Sequence, residues 1–328
     1  MNTDNKRNDM SSNPVDPRRL DSSGLSGVKL ATGHRRVTHQ ASYGNWATGG
    51  KQTKVQRNQH IKIGTWNVRG LLQPGKRETV ESEMQRCGVE ILGLSETHFR
   101  DSGHFKTGNG NMIFLAGNGE KNNNGVGFIV AKNLKDSVLG YEAIGDKMIR
   151  IRIGARPHTL NIIQVYAPTT ECTEEEISDF YAKLETVCHM GPGKKTTVLL
   201  GDFNEKVGET THNTHLNQTV GKYGLGVYNE RKLFLQFCIG NQFTIMNTWF
   251  KQHPRRWRSS ITNTKTLPGA DCGSDHQLLV TEFKARLKVV HKASNNKALH
   301  MHADAISQFR RDMGTRLLKM ETDNRISQ

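Results

Sequence analysis

From about residue 61 onward, apolar residues either alternate with polar ones or gather into short blocks, and each block breaks off at a polar residue. Ile61-Lys62-Ile63-Gly64-Thr65-Trp66 alternates with period two and predicts a strand. Ile91-Leu92-Gly93-Leu94, Met112 to Ala116, Gly125 to Ala131, Met148 to Ile153, Leu160 to Tyr166, Thr197 to Leu200, Phe243 to Met246 and Leu278 to Phe283 read as further strands. Asn122-Asn123-Asn124-Gly125 reads as a hairpin turn. Helical spacing places Val80, Met84 and Cys87 on one face of Arg77 to Cys87, with Gly88 as the stop. Thr173 and Glu176 have capping-box spacing, and Ile177, Phe180, Tyr181, Leu184, Val187 and Cys188 form one apolar stripe behind them. A third helix is expected over Asn229 to Ile239, ending at Gly240. Many strands with helices to cover them define an α/β domain over residues 59–286. Residues 1–58 are rich in Ser, Gly, Asn and Arg and are expected to be a disordered basic segment. Residues 287–328 read as a basic tail, partly helical over Ala305 to Met320.

The polar residues at the strand ends change the picture from architecture to chemistry. Trp66-Asn67 closes the first strand, Ser95-Glu96-Thr97-His98 follows Leu94, and Tyr166-Ala167-Pro168-Thr169 follows Val165. Gly201-Asp202-Phe203-Asn204-Glu205 follows Leu200, and Gly273-Ser274-Asp275-His276 precedes Leu278. Side chains two apart on a strand share a face, so Asp202 and Asn204 are offered together. Singly, each of these residues is an ordinary turn or cap residue. Five such ends together fit phosphodiester hydrolysis, which needs a hard cation, an activated water and donors for the transition state. A Mg²⁺ site uses one or two carboxylates plus waters, and Glu96 and Asp275 would serve. Asp202 would orient or deprotonate the attacking water. Asn67, Asn204 and Tyr166 would hold the phosphate and the water network, and His276 would donate to a phosphate oxygen.

Charge points the same way. The net charge is +15, and nucleic acid is the first candidate for an acidic partner. Residues 1–60 and 284–328 each carry ten Lys and Arg against four Asp and Glu, so the middle is nearly balanced. The five cysteines show no ligand spacing and suit a reducing compartment. No secretory leader follows Met1, and no run is long enough to span a bilayer, so a nuclear or cytoplasmic, non-membrane protein is expected. No protein partner is deducible, and a monomer is expected.

The five motifs resemble the endonuclease/exonuclease/phosphatase superfamily, which includes deoxyribonuclease I and apurinic/apyrimidinic endonucleases. The nearer resemblance is to the endonuclease domain of LINE-type (non-LTR) retrotransposons of the RTE/BovB kind. It covers about residues 40–290 and extends to Trp257-Arg258-Ser259-Ser260-Ile261 and Pro268-Gly269-Ala270-Asp271. The resemblance implies a four-layered α/β sandwich with its site at one end of two facing sheets. It implies Mg²⁺-dependent nicking of DNA that leaves a 3′-hydroxyl, with Mn²⁺ able to stand in for Mg²⁺. It gives Glu96 the metal role with Asn67 and Asp275 beside it, Asp202 and Asn204 the nucleophile, and Tyr166 and His276 the phosphate.

One block of that family is missing. An Ile-Asp-Tyr-Ile strand, whose Asp orients the catalytic His, normally precedes the Gly-Ser-Asp-His element. Here Phe250 to Arg256 runs straight into Trp257. About 20 residues, one or two strands, are absent. The expected consequences are an open sheet edge and a His276 without its carboxylate, hence an endonuclease of impaired activity. The alternative is an inactive nucleic-acid or chromatin-associated protein that keeps the fold. A lipid or inositol phosphate phosphatase is a third, weaker reading.

Overall fold

The computed structural model describes residues 28–35 (backbone), 59–119, 124–169, 171–205, 207, 219–223, 233–250 and 261–288. The expected helix over Ala305 to Met320, residues 229–232 of the expected third helix and residues 122–123 of the Asn122–Gly125 turn lie outside them. In chain order the elements begin with β1 (Val28–Arg35), β2 (Gln59–Asn67), α1 (Lys76–Arg86), β3 (Ile91–Ser95), β4 (Gly103–Lys106), β5 (Met112–Ala116) and β6 (Val126–Val130). Next come β7 (Val138–Ala143), β8 (Met148–Ile153), β9 (Ala155–Arg156), β10 (Thr159–Tyr166), α2 (Glu174–His189) and β11 (Lys195–Asp202). The chain continues with α3 (Leu233–Gly240), β12 (Thr244–Ile245), β13 (Ile261–Leu267) and β14 (Leu278–Leu287).

The strands form two sheets. One runs β12-β1-β11-β10-β8-β7, the other β13-β14-β2-β3-β6-β5-β4, with β9 paired to β14. Their inner faces meet in one core, where Ile61 and Ile63 of β2 and Ile91 of β3 lie among Ile151, Ile162, Val198 and Leu200. Period-two alternation sends the intervening residues outward. Ile163, Val165 and Leu199 pack under α2 and α3 through Phe180, Leu184, Phe234 and Phe237. Leu92, Leu94 and Val280 pack under α1 through Val80 and Met84. Helix, sheet, sheet, helix: the chain is a four-layered α/β sandwich of the deoxyribonuclease I type. The capping box of α2 forms, with Glu176 N–H donating to Thr173 Oγ1 at 3.2 Å and Thr173 N–H to Glu176 Oε2 at 2.9 Å.

Each sheet holds one parallel pair, and these two pairs position the candidate site. In β2 and β3 the register runs from Ile63↔Ile91 to Asn67↔Ser95. In β10 and β11 it runs from Thr159↔Lys195 to Tyr166↔Asp202. Parallel partners end at the same level, so Asn67 with Ser95, and Tyr166 with Asp202, finish side by side at one end of the sandwich. Gly201 makes the second ending sterically possible. Its φ is +149°, and a Cβ there would sit 2.2 Å from the Val165 carbonyl oxygen.

Within residues 1–58, whose composition reads as disordered or loosely attached, the backbone of one stretch joins a sheet. The backbone of Val28–Arg35 is a strand, paired antiparallel with β11 from Val28↔Asp202 to Arg35↔Lys195 and with β12 at Ala31↔Ile245 and Thr32↔Thr244. Local composition gave no sign of it, because its order comes from ladders on both sides. β11 therefore has a neighbour on either side, β1 and β10. The pattern of apolar residues does not mark β4, β7, β9 or β13 either.

Candidate active site

The centre of the site is the Asn67 side chain, 1% exposed. Its Nδ2 donates to Glu96 Oε1 at 2.7 Å and to Asp202 Oδ2 at 3.0 Å. Two carboxylates from different sheets thus share one amide group. Its Oδ1 accepts the Arg69 N–H at 3.2 Å, which fixes the turn out of β2. Asp202 is itself 1% exposed, and its Oδ1 accepts the Asn204 N–H at 3.1 Å. Asn204 Nδ2 donates to the Ala167 carbonyl at 2.7 Å, so this amide holds the Tyr166–Ala167 exit against β11. Glu205, next in the same motif, receives the Phe234 N–H at the start of α3 (3.0 Å to each carboxylate oxygen) and the Tyr181 hydroxyl (3.1 Å).

Tyr166 stands half-buried beside the carboxylates. Burial, then the negative charge of Glu96 and its hydrogen bond to that carboxylate, then Asp202, push the Tyr166 phenol well above its usual range. The side chain is therefore a proton donor at any physiological pH. The Ser274–His276 loop is tied across β2. Ser274 Oγ donates to the Asn67 carbonyl at 2.6 Å, and Trp66 Nε1–H donates to the His276 carbonyl at 2.8 Å. This brings His276 Nδ1 to 3.8 Å from Asp202 Oδ2 and Nε2 to 3.7 Å from Asp275 Oδ1, both beyond hydrogen-bonding reach. Nδ1 is buried without a hydrogen-bond partner among the described residues. Asp275 is largely exposed and paired with Arg69 at 2.9 Å.

Backbone strain gathers in the same loops. Arg69, Glu96, His98 and Asn204 have φ of 47°, 52°, 61° and 49°, and Gln242 is the one other such non-glycine residue among those described. Left-handed residues of this kind persist where the surroundings over-determine them, and they concentrate at functional sites. Here the loops after β2 and β3 extend the ladder, through Gly70 N–H to the Glu96 carbonyl (2.6 Å) and Leu71 N–H to the Thr97 carbonyl (3.0 Å).

A buried polar stitch that sequence patterning missed lies behind the site. Thr65 Oγ1 donates to Gln164 Oε1 (3.1 Å), Gln164 Nε2 donates to Ser95 Oγ (2.8 Å), and Ser95 Oγ donates to the Val165 carbonyl (3.1 Å). It joins β2 and β3 to β10 across the gap between the sheets. Gly93 gives Gln164 its space, since a Cβ would lie 2.0 Å from Gln164 Oε1. Gly93→Ala should therefore break the stitch and destabilise the fold by about 1–3 kcal/mol, read from the urea unfolding midpoint at unchanged slope.

His98 gives a pH dependence with a definite sign. Burial first, and Lys76 more weakly, lower its pKa from the usual 6.5, against the pull of Glu96. The unfolded chain then takes up that proton more readily than the folded one. The contribution of His98 to stability is complete above pH 6.5 and is lost as pH falls below it. His98→Gln should flatten the stability profile over that acidic range in denaturant titrations at several pH values.

The donor set fits a hard cation. Glu96 is a partly exposed carboxylate at the mouth, and Mg²⁺ asks the protein for only one or two such groups. No cluster of three or more His, Cys, Asp or Glu side chains able to hold a metal forms among the described residues. Cys188 and Cys272 stand apart from this chemistry, since burial raises their thiols to about 12 and about 11.

The ends of two parallel strand pairs, one from each sheet, thus converge on Asn67, Glu96, Tyr166 and Asp202. The chain belongs to the endonuclease/exonuclease/phosphatase family, matched over residues 64–296. It is 33% identical over 320 residues to craniofacial development protein 2 of Bos taurus, covering 86% of this chain and 53% of that one. It is 35% identical over 256 residues to the Tragulus javanicus protein of the same name, covering 71% and 44%. The chain spans about half the length of the curated relatives it matches. Among solved structures, it is similar to the AP endonuclease LMAP of Leishmania major at 11% identity and a TM-score of 0.49, covering 69% of this chain and 88% of that one. It is also similar to the endonuclease domain of TRAS1, a telomere-specific non-LTR retrotransposon, at 13% identity and a TM-score of 0.46, covering 68% and 98%. No helix among the described residues is long and apolar enough to cross a membrane.

Proposed function

We propose that this chain is a divalent-cation-dependent phosphodiesterase of non-LTR retrotransposon origin that nicks DNA in the nucleus. The observation that carries the reading is the single carboxamide of Asn67 hydrogen-bonded to both Glu96 and Asp202. Residues 135 apart in sequence meet there, at the ends of strands from two sheets.

In this reading Glu96 and Asp275 would hold the cation, Asp275 being paired with Arg69 in this structure. Asn67 presents its nitrogen to the carboxylates and keeps their spacing. Bound Mg²⁺ or Mn²⁺ would neutralise charge on the phosphate. Asp202, gripped by Asn67 and the Asn204 N–H, takes a proton from the attacking water as its oxygen bonds to phosphorus. The bond from phosphorus to the 3′ oxygen breaks, and that oxygen leaves as a hydroxyl after taking a proton from solvent. Tyr166, held protonated, donates to a phosphate oxygen, and His276 stands on the same side.

A second reading has one observation in its favour. His276 Nδ1 has no hydrogen-bond partner among the described residues, so nothing there fixes the tautomer of the ring. A non-catalytic, nucleic-acid-binding protein with this fold would tolerate that. Incubation of supercoiled plasmid with purified protein separates the two. The phosphodiesterase reading expects open circles in Mg²⁺, none in chelator, and nick ends that a polymerase extends. Salt-sensitive DNA binding with no nicking in either Mg²⁺ or Mn²⁺ would favour the second reading.

A further inference from the structure

We propose that Val28–Arg35 is a positioning strand for the site: a segment that precedes the rest of the domain closes the edge of β11 and thereby fixes Asp202. The effect on activity rests on the phosphodiesterase reading, whereas the closing of the edge does not. All eight residues of β11 are buried. A buried backbone amide or carbonyl left unpaired is costly, so the outer side of β11 needs a partner along its length. β1 supplies one through eight consecutive register pairs, and no other strand among the described residues lies along that side.

Two features tie this pairing to the site. The last pair is Val28↔Asp202, so the ladder extends to the residue that meets Asn67. On its other side the Asp202 carbonyl accepts the Ala167 N–H at 2.8 Å, so β1 and the β10 exit hold the strand end between them. β1 also carries β12, whose only strand pairing among the described residues is with it. Loss of β1 would leave β12 with the bridge Val220↔Ile245 and β11 with an unpaired edge. Residues 36–58 separate β1 from β2, so no short hairpin enforces the docking.

Hydrogen exchange of the full-length chain, followed by mass spectrometry, tests this without any substitution. Amides of residues 28–35 should exchange at least about a hundredfold more slowly than an unstructured chain, as members of a sheet do. Exchange at the unstructured rate would overturn the proposal. Ala31→Pro provides the second arm. Ala31 pairs with Leu199 and with Ile245, and proline there removes a ladder donor. Residues 197–201 should then exchange at least about tenfold faster, and a synthetic peptide of residues 26–37 should restore their protection. Unchanged exchange of β11 in that variant would also overturn it. A wild-type chain that protects residues 28–35 but nicks no plasmid would count against the phosphodiesterase reading alone.

Discussion

Asp202→Ala should lower the rate of plasmid nicking roughly 10²–10⁴-fold at saturating Mg²⁺, the range that a positioned general base contributes. The expectation follows from the environment of this carboxylate. It is 1% exposed, it ends the strand that pairs in parallel with the Tyr166 strand, and both of its oxygens already accept N–H donors. A carboxylate fixed to that degree has one orientation to offer a water molecule. The fold should survive the change better than the activity does, because Asn67 retains Glu96 and Asn204 retains the Ala167 carbonyl. The check is a nicking time course at matched protein concentrations, with circular dichroism to establish that the variant is folded. A variant as active as the wild type would remove Asp202 from the chemistry.

Asn67→Leu should affect stability and activity together. The substitution keeps the approximate size of the side chain and deletes the donor that both carboxylates share. Asp202, buried, loses one of its N–H partners, and Glu96 faces it with no amide between them. A hydrogen bond to a charged group is worth about 1.5–3 kcal/mol, so unfolding in urea should come at a clearly lower concentration. Nicking should fall at least as far as in Asp202→Ala, since two groups are displaced. Asn67→Ala would confuse the result, because it adds a cavity to the loss of the donor.

Much of this site is legible in the sequence because each component ends a strongly apolar strand. Trp66-Asn67, Ser95-Glu96, Val165-Tyr166 and Gly201-Asp202 each read as a buried run broken by a polar residue, and the parallel registers turn those breaks into neighbours. Helix α2 is legible for a local reason too, since Thr173 and Glu176 cap it through their own side chains. What could not be read depends on partners distant in sequence. Gln164 is a polar residue inside an apolar strand, and nothing local says that it reaches Thr65 and Ser95 of the other sheet. Arg69 gives no sign of its pairing with Asp275. β13, Ile261-Thr-Asn-Thr-Lys-Thr-Leu267, has too few apolar residues to mark a strand, yet Thr264 finds the hydroxyl of Thr281 on β14 at 2.9 Å. β1 is the extreme case, a strand defined by its neighbours rather than by its own composition.

The central claim is that strand ends from two sheets build one cation-assisted phosphodiester site, with Glu96 as the carboxylate that receives the ion. Mn²⁺ binding, followed by electron paramagnetic resonance in the wild type and in Glu96→Gln, tests it most directly and independently of turnover. The account predicts saturable binding to the wild type that weakens roughly tenfold or more in the variant. Identical binding curves for the two proteins, or no saturable binding to the wild type, would contradict it.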